Sequence, residues 1–191
     1  MGGSDNDRFS FHRRFLQHLQ WASPRPRWVL RSSSHCARLG DLLKTYPDAA
    51  CVWVHRDPEA ALADSVGARV AYKEGLEQRR LPRVEREAIA RRLSGIVEGE
   101  LARALADSLL DRVHHVTLQE ILRDPRSVLA SVSGTPEGWP VSSAVAAEAA
   151  RLRPVVLPTG ALDLPPLGGR AFRAYRERFQ VPDEREDGFP S

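Results

Sequence analysis

The stretch Ala50-Cys51-Val52-Trp53-Val54-His55-Arg56-Asp57-Pro58 decides the fold. Five apolar residues in a row read as a buried strand, since a strand with one wet face would alternate with polar residues. The run stops at His55-Arg56, and Asp57-Pro58 then opens a helix. An aspartate at the N-cap accepts hydrogen bonds from the free backbone N–H groups, and the fixed φ of proline suits the first helical position. A continuous apolar strand running into a capped helix is the repeating unit of a parallel sheet covered by helices.

Upstream, Trp28-Val29-Leu30 is a second short apolar run, followed by Arg31 and the serines Ser32, Ser33 and Ser34. Between the two runs, His35–Tyr46 sets Leu39, Leu42 and Leu43 on one helical face, and Pro47-Asp48 ends it. The connection from Leu30 to Ala50 is long enough for a helical crossover. Before it, Phe11, Phe15, Leu16 and Leu19 recur at helical spacing from Phe9 to Trp21, ahead of Pro24 and Pro26; residues 1–8 read as a frayed start. Downstream, Arg83–Leu110 predicts one long amphipathic helix or a pair broken at Gly95 and Gly99. Arg112–Leu118 is a third strand candidate, in which His114 and His115 point to opposite faces. Asp124-Pro125 repeats the cap-plus-proline start for a helix through Val132. A helix near Val141–Leu152 and a last one over Ala171–Phe179 complete the reading. The expected class is α/β, a parallel sheet with helices on both faces. Residues 1–191 form a single domain in which 134–170 is a loop-rich segment.

Composition narrows the function. The length, 191 residues, fits one domain, and 28% charged residues beside 42% hydrophobic ones exclude a fully disordered chain. No stretch reaches the roughly 20 apolar residues of a membrane span, and the first residues lack an apolar secretory core. Cys36 and Cys51 form neither a disulfide framework nor a metal spacing, so no metal is expected and a cytoplasmic location is. Net charge is only +3, and basic residues alternate with acids, as in Glu85-Arg86-Glu87. No nucleic-acid stripe results, and the expected partner is a small molecule rather than nucleic acid or membrane.

In open α/β sheets, ligands bind beyond the carboxyl ends of the strands. Two such ends carry chemistry: Arg31-Ser32-Ser33-Ser34-His35 and His55-Arg56-Asp57-Pro58. If both strands lie in one sheet, both loops open on the same edge and lead into helix N-termini, which attract anions. Arg31, Arg56 and the serine hydroxyls would make an anion pocket, with His35 moving protons beside it. Plainer readings stand next to these: a capped helix start with a surface arginine, serines that only cap the next helix, and a solvated histidine. Cys36 at a helix start has either a lowered pKa or, on the plainer reading, a buried, inert thiol.

Several segments, in order, resemble bacterial sulfotransferases that use 3′-phosphoadenosine-5′-phosphosulfate (PAPS). Phe11-His12-Arg13-Arg14-Phe15-Leu16-Gln17-His18-Leu19-Gln20 is similar to the family helix Y-x-H-R-R-x-L-Q-x-L, and Trp28–His35 to W-V-L-K-S-P-x-H. Tyr46-Pro47-Asp48-Ala49 and Val54–Pro58 resemble Y-P-D-A and a T-H-R-D-P strand end. Val116–Leu122 with Asp124-Pro125 resembles Y-E-D-L-x-x-D-P, and Ala174–Pro182 the family C-terminus. The resemblance implies a sulfotransferase-like, P-loop-type parallel sheet, truncated, because the chain starts downstream of the first strand and the loop that cradles the 5′-phosphosulfate. It also implies His35 as base, Arg31 as the second catalytic residue, Arg56 and Ser65 on the cofactor's 3′-phosphate, and His12, Ser32, Ser33 and Ser34 toward substrate.

Departures from the pattern bear on the chemistry. Lacking the cradle, the sulfuryl group loses its backbone N–H donors. The family lysine is Arg31, a fork that donates protons poorly, and the following proline is Ser33. The serine expected eight residues after Arg56 falls on Asp64, with Ser65 one place late. The first expectation is therefore an enzyme without PAPS or other cofactor, performing cyclisation, isomerisation or elimination on an anionic or carbonyl-bearing biosynthetic intermediate. The alternatives are a PAPS-dependent sulfotransferase, a fragment or completed by a partner, that transfers sulfuryl to a hydroxyl, and a non-catalytic binding or assembly module. A missing inner strand leaves an open edge, for which a second copy or a partner subunit is expected.

Overall fold

The computed structural model describes residues 6–33, 35–133 and 168–182. The fold is α/β and mostly helical, with a small parallel sheet flanked by helices. Strand β1 is Val52–His55 and β2 is His114–Thr117; they pair in parallel with Val52 opposite His114, Val54 opposite Val116 and His55 opposite Thr117. Helix α1 spans Asn6–Ala22 and α2 spans Leu39–Thr45, entered through a single 3-10 turn at Cys36–Arg38. Between the strands come α3, Pro58–Glu77, and α4, Arg83–Leu105. After β2 follow α5, Leu118–Arg123, and α6, Pro125–Ser133; α7 spans Arg170–Phe179. The helix expected near Val141–Leu152 lies outside the described residues.

Local chemistry fixes these boundaries. Asp57 caps α3, its carboxylate accepting from the N–H groups of Glu59 (2.7 Å) and Ala60 (3.0 Å), with Pro58 in the first turn. At the end of β2, Thr117 and Glu120 exchange side-chain-to-backbone hydrogen bonds, a capping box that starts α5. The two strands thus run side by side into two capped helix starts. Helix α4 passes through Gly95 and Gly99 unbroken, so a single helix forms where a broken pair was the alternative.

Two apolar clusters hold the elements together. Leu62, Val66 and Val70, four residues apart on α3, pack with Ala90 and Leu101 of α4 and Ala171, Phe172 and Tyr175 of α7. Phe9 of α1 packs with Leu39, Leu42 and Leu43 of α2 and with Val113 at the mouth of β2. Trp53 touches both clusters. Val52 and Val54, which alternate with Trp53 along β1, are exposed.

One expected strand does not form. Trp28-Val29-Leu30 lies in irregular, exposed chain between α1 and the 3-10 turn. Gln20 explains the path: its amide donates to the Arg25 carbonyl (2.8 Å), and its oxygen accepts from the Arg25 N–H (3.2 Å) and the Trp28 indole N–H (2.7 Å). These bonds fold the Pro24–Pro26 turn back against the end of α1. An apolar run becomes a strand only where a neighbour pairs its backbone, and among the described residues β1 pairs with β2 alone.

Candidate functional site

The turn at the end of β1 is held by the last described helix. His55 is almost fully buried, and its Nδ1 lies 2.7 Å from the Tyr175 hydroxyl while its Nε2 lies 2.8 Å from Nδ1 of His115. Nε2 of His115 lies 3.0 Å from the Leu110 carbonyl, which can only accept. The neutral rings therefore have one consistent set of protons. His115 donates from Nε2 to Leu110, His55 donates from Nε2 to His115, and the Tyr175 O–H donates to Nδ1 of His55. Phe179 stacks on His55 at 4.0 Å between ring centroids, and Trp53 at 5.1 Å. Burial, then the neighbouring His115, pushes the His55 pKa down to about 4, against a small opposing pull from Glu120. Burial likewise pushes the Tyr175 phenol up.

Asp57, buried beneath this stack, completes its cap with an ion pair to Arg176 of α7 at 2.7 Å. Arg56, half-buried, is ion-paired with Asp64 one turn and more along α3. Ser65 is exposed, and its hydroxyl donates to the Ala61 carbonyl at 2.8 Å. The space beside His55, Arg56 and Thr117 is closed over by Val181 and Pro182 to about 10 Å³, room for one water molecule at most. An open concavity of about 390 Å³ lies between β2 and α6, lined in part by His114, Glu120, Asp124 and Ser131. Its polar groups serve their own helices: Glu120 and Asp124 cap α5 and α6, and the Ser131 hydroxyl donates to the Val128 carbonyl.

A second group of rings forms where α1, α2 and the 3-10 turn meet. Nδ1 of His12 is 2.7 Å from the Tyr46 hydroxyl, and the His12 ring lies edge-on to His35 with centroids 6.0 Å apart. Phe9 tilts against His35 at 5.7 Å. Burial, then His12, lowers the His35 pKa, so this imidazole is neutral at pH 7; burial raises that of Tyr46, which keeps its proton. The Tyr46 phenol, keeping its proton, can donate it to Nδ1 of His12. Cys36, next to His35, is half-buried, and burial pushes its thiol pKa up rather than down.

A family model described as "Sulfotransferase family" matches residues 5–134. The chain belongs to the sulfotransferase family. No curated protein and no solved structure matches it. In this sulfotransferase-family chain the residues singled out from sequence fall into three places. His12 and His35 come together with Tyr46. Arg56 meets Asp64 rather than Ser65. Arg31, Ser32 and Ser33 are exposed on the loop that fails to become a strand, and Ser34 lies outside the described residues. Since that loop is not a strand end, the expected argument for placing Arg31 and Arg56 on one sheet edge no longer holds. Sequence reading missed Tyr46, Tyr175 and Arg176 as partners. Tyr175-Arg176, 119 residues from Asp57-Pro58 in sequence, left no local signal, whereas the inward turn of one of His114 and His115 was visible in the strand period.

Proposed function

We propose that the chain is an acid/base enzyme on a sulfotransferase-type fold, working on an anionic or carbonyl-bearing small molecule without PAPS. The observation that carries this reading is the His12–Tyr46–His35 cluster, with the His35 imidazole edge-on to a second imidazole that is hydrogen-bonded to a phenol. His35 takes a proton from the carbon next to a carbonyl. The electron pair moves toward the carbonyl oxygen, where Arg31, four residues upstream, supplies positive charge. The Tyr46–His12 pair returns a proton to another carbon in an isomerisation, or to the leaving group in an elimination. Ser32 and Ser33, on the same loop, are hydrogen-bonding partners for the substrate. A 3′-phosphate fits poorly at Arg56, because the Asp64 carboxylate already occupies the guanidinium and would repel a phosphate. No step is therefore assigned to PAPS.

Membership of the family favours one other reading, transfer of a sulfuryl group from PAPS with a partner completing the site. Calorimetry and imidazole NMR separate the two. Short keto acids and carboxylic acids are expected to shift the His35 and His12 ring signals, and Arg31→Ala to weaken that binding about tenfold or more. Micromolar binding of 3′,5′-adenosine bisphosphate, lost in Arg56→Ala, would establish the PAPS reading instead. Failure of both ligand classes leaves the binding or assembly module.

A further inference from the structure

The surface of α1 and the loop after it is unlike the rest of the molecule. Between Phe9 and Gly40 lie six of the 28 Lys and Arg and none of the 25 Asp and Glu, so this stretch carries +6 and the remainder of the chain −3. Arg13, Arg14, Arg25, Arg27 and Arg31 are all exposed. On the same surface Trp21 is 82% exposed, Val29 72% and Phe11 65%, with Phe15, Trp28 and Leu30 exposed beside them.

Helix geometry sorts α1 into two faces. Phe9, His12, Leu16 and Leu19 face the protein, while Phe11, Phe15 and His18 form a stripe on the opposite side, bordered by Arg14 and Trp21. Gln20 clamps Arg25 and Trp28 against the end of the helix, so the loop's exposed arginines and apolar residues are held beside α1 rather than hanging free of it.

We infer that this face docks on an anionic phospholipid surface, α1 lying in the plane of the headgroups. Three features favour that occupant. The charge has one sign and is carried by arginine, which pairs with phosphate as a fork. The projecting side chains mix tryptophan and phenylalanine with valine and leucine, the composition of helices that sink their apolar face into the headgroup boundary. A nucleic-acid strand has aromatic faces to stack on but no use for Val29 and Leu30. An isologous second copy would set arginine against arginine across its two-fold. The expectation of no membrane partner was drawn from the lack of a spanning segment, and indeed no described helix is long and apolar enough to cross a membrane; a helix lying on the surface needs none.

The test is sedimentation of the full chain with phosphatidylcholine vesicles, with and without phosphatidylserine, together with tryptophan emission. Capture by the phosphatidylserine vesicles alone is expected, with a blue shift and with release at high salt. Each arginine lost should weaken capture about fivefold, so Arg14→Glu/Arg25→Glu/Arg27→Glu should reduce it by 100-fold or more. Trp21→Ala should remove most of the blue shift while leaving the circular dichroism of the protein unchanged. Equal capture by neutral vesicles overturns the inference. So does full capture of the triple variant, or binding of a single-stranded oligonucleotide in place of vesicles. None of these outcomes depends on the acid/base reading.

Discussion

Acidification should destabilise this protein chiefly through one residue. His55 is 1% exposed, and each of its ring nitrogens already has a role: Nδ1 accepts from Tyr175, Nε2 donates to His115. A second proton on Nδ1 would point at the Tyr175 hydroxyl and force that O–H to turn away, inside a stack that includes Phe179 and Trp53. In the unfolded chain the same imidazole takes up a proton near its ordinary value of 6.5, whereas in the folded protein it does so only at about 4. As pH falls from 6.5 to 4, the unfolded state gains a proton that the folded state refuses, so stability drops. The gap between the two values corresponds to ~3 kcal/mol, lost at about 1.4 kcal/mol per pH unit across that window and no further below it. Such a loss is a large part of the ~5–15 kcal/mol that holds a typical domain together. His35, also shifted down by burial, adds loss of the same sign. The assay is urea denaturation at a series of pH values, with His55→Phe as the comparison. Phenylalanine keeps the stacking but cannot titrate. The variant should be about 1–3 kcal/mol less stable at neutral pH, because the Tyr175 hydroxyl and Nδ1 of His115 lose their partner, yet its pH slope should be shallower. An identical slope in both proteins, or a flat wild-type profile between 6.5 and 4, would refute the reasoning.

Other outcomes follow from single contacts. Asp64→Ser should free Arg56 and raise affinity for inorganic phosphate or 3′,5′-adenosine bisphosphate about tenfold by calorimetry; no gain would mean that the Arg56–Asp64 pair is not what restrains the guanidinium. Gly95→Ala should stabilise α4 by ~1 kcal/mol in thermal melts, since an added Cβ meets nothing within 4 Å. Phe172→Ala should cost ~3–5 kcal/mol, as its ring is 1% exposed at the junction of α3, α4 and α7. Light scattering after gel filtration should show association through the exposed face of β1 that carries Val52 and Val54, reduced by Val54→Glu; a wild-type monomer at high concentration would exclude it.

Sequence alone was enough where the signal is local. Asp57-Pro58 and Asp124-Pro125 mark helix starts through their own side chains, and the apolar run over Val52–Val54 could be little else than a strand. Trp28–Leu30 misled because the same apolar run is a strand or an exposed loop depending on whether a neighbour arrives, and Gln20 turns it away. The candidate site was only half legible. His12 and His35 were named, but their meeting at Tyr46 depends on how α1 crosses α2, which no spacing encodes. Arg56 was named too, and Asp64, standing where a serine was expected, is its ion-pair partner. The carboxylate neutralises the arginine itself, a contact made possible by the turn of α3 that separates them.

The grip of α7 on the β1 turn has a practical consequence for anyone dissecting the chain. The family match ends at residue 134, yet Tyr175 and Arg176 supply the partners of His55 and Asp57, and Phe172 and Phe179 roof the same region. An expression fragment cut at the match boundary would strip the His55 imidazole of Tyr175 and the Asp57 carboxylate of Arg176, along with the rings that bury them. The smallest autonomous unit of this protein therefore reaches at least through α7, past the residues that the family model matches.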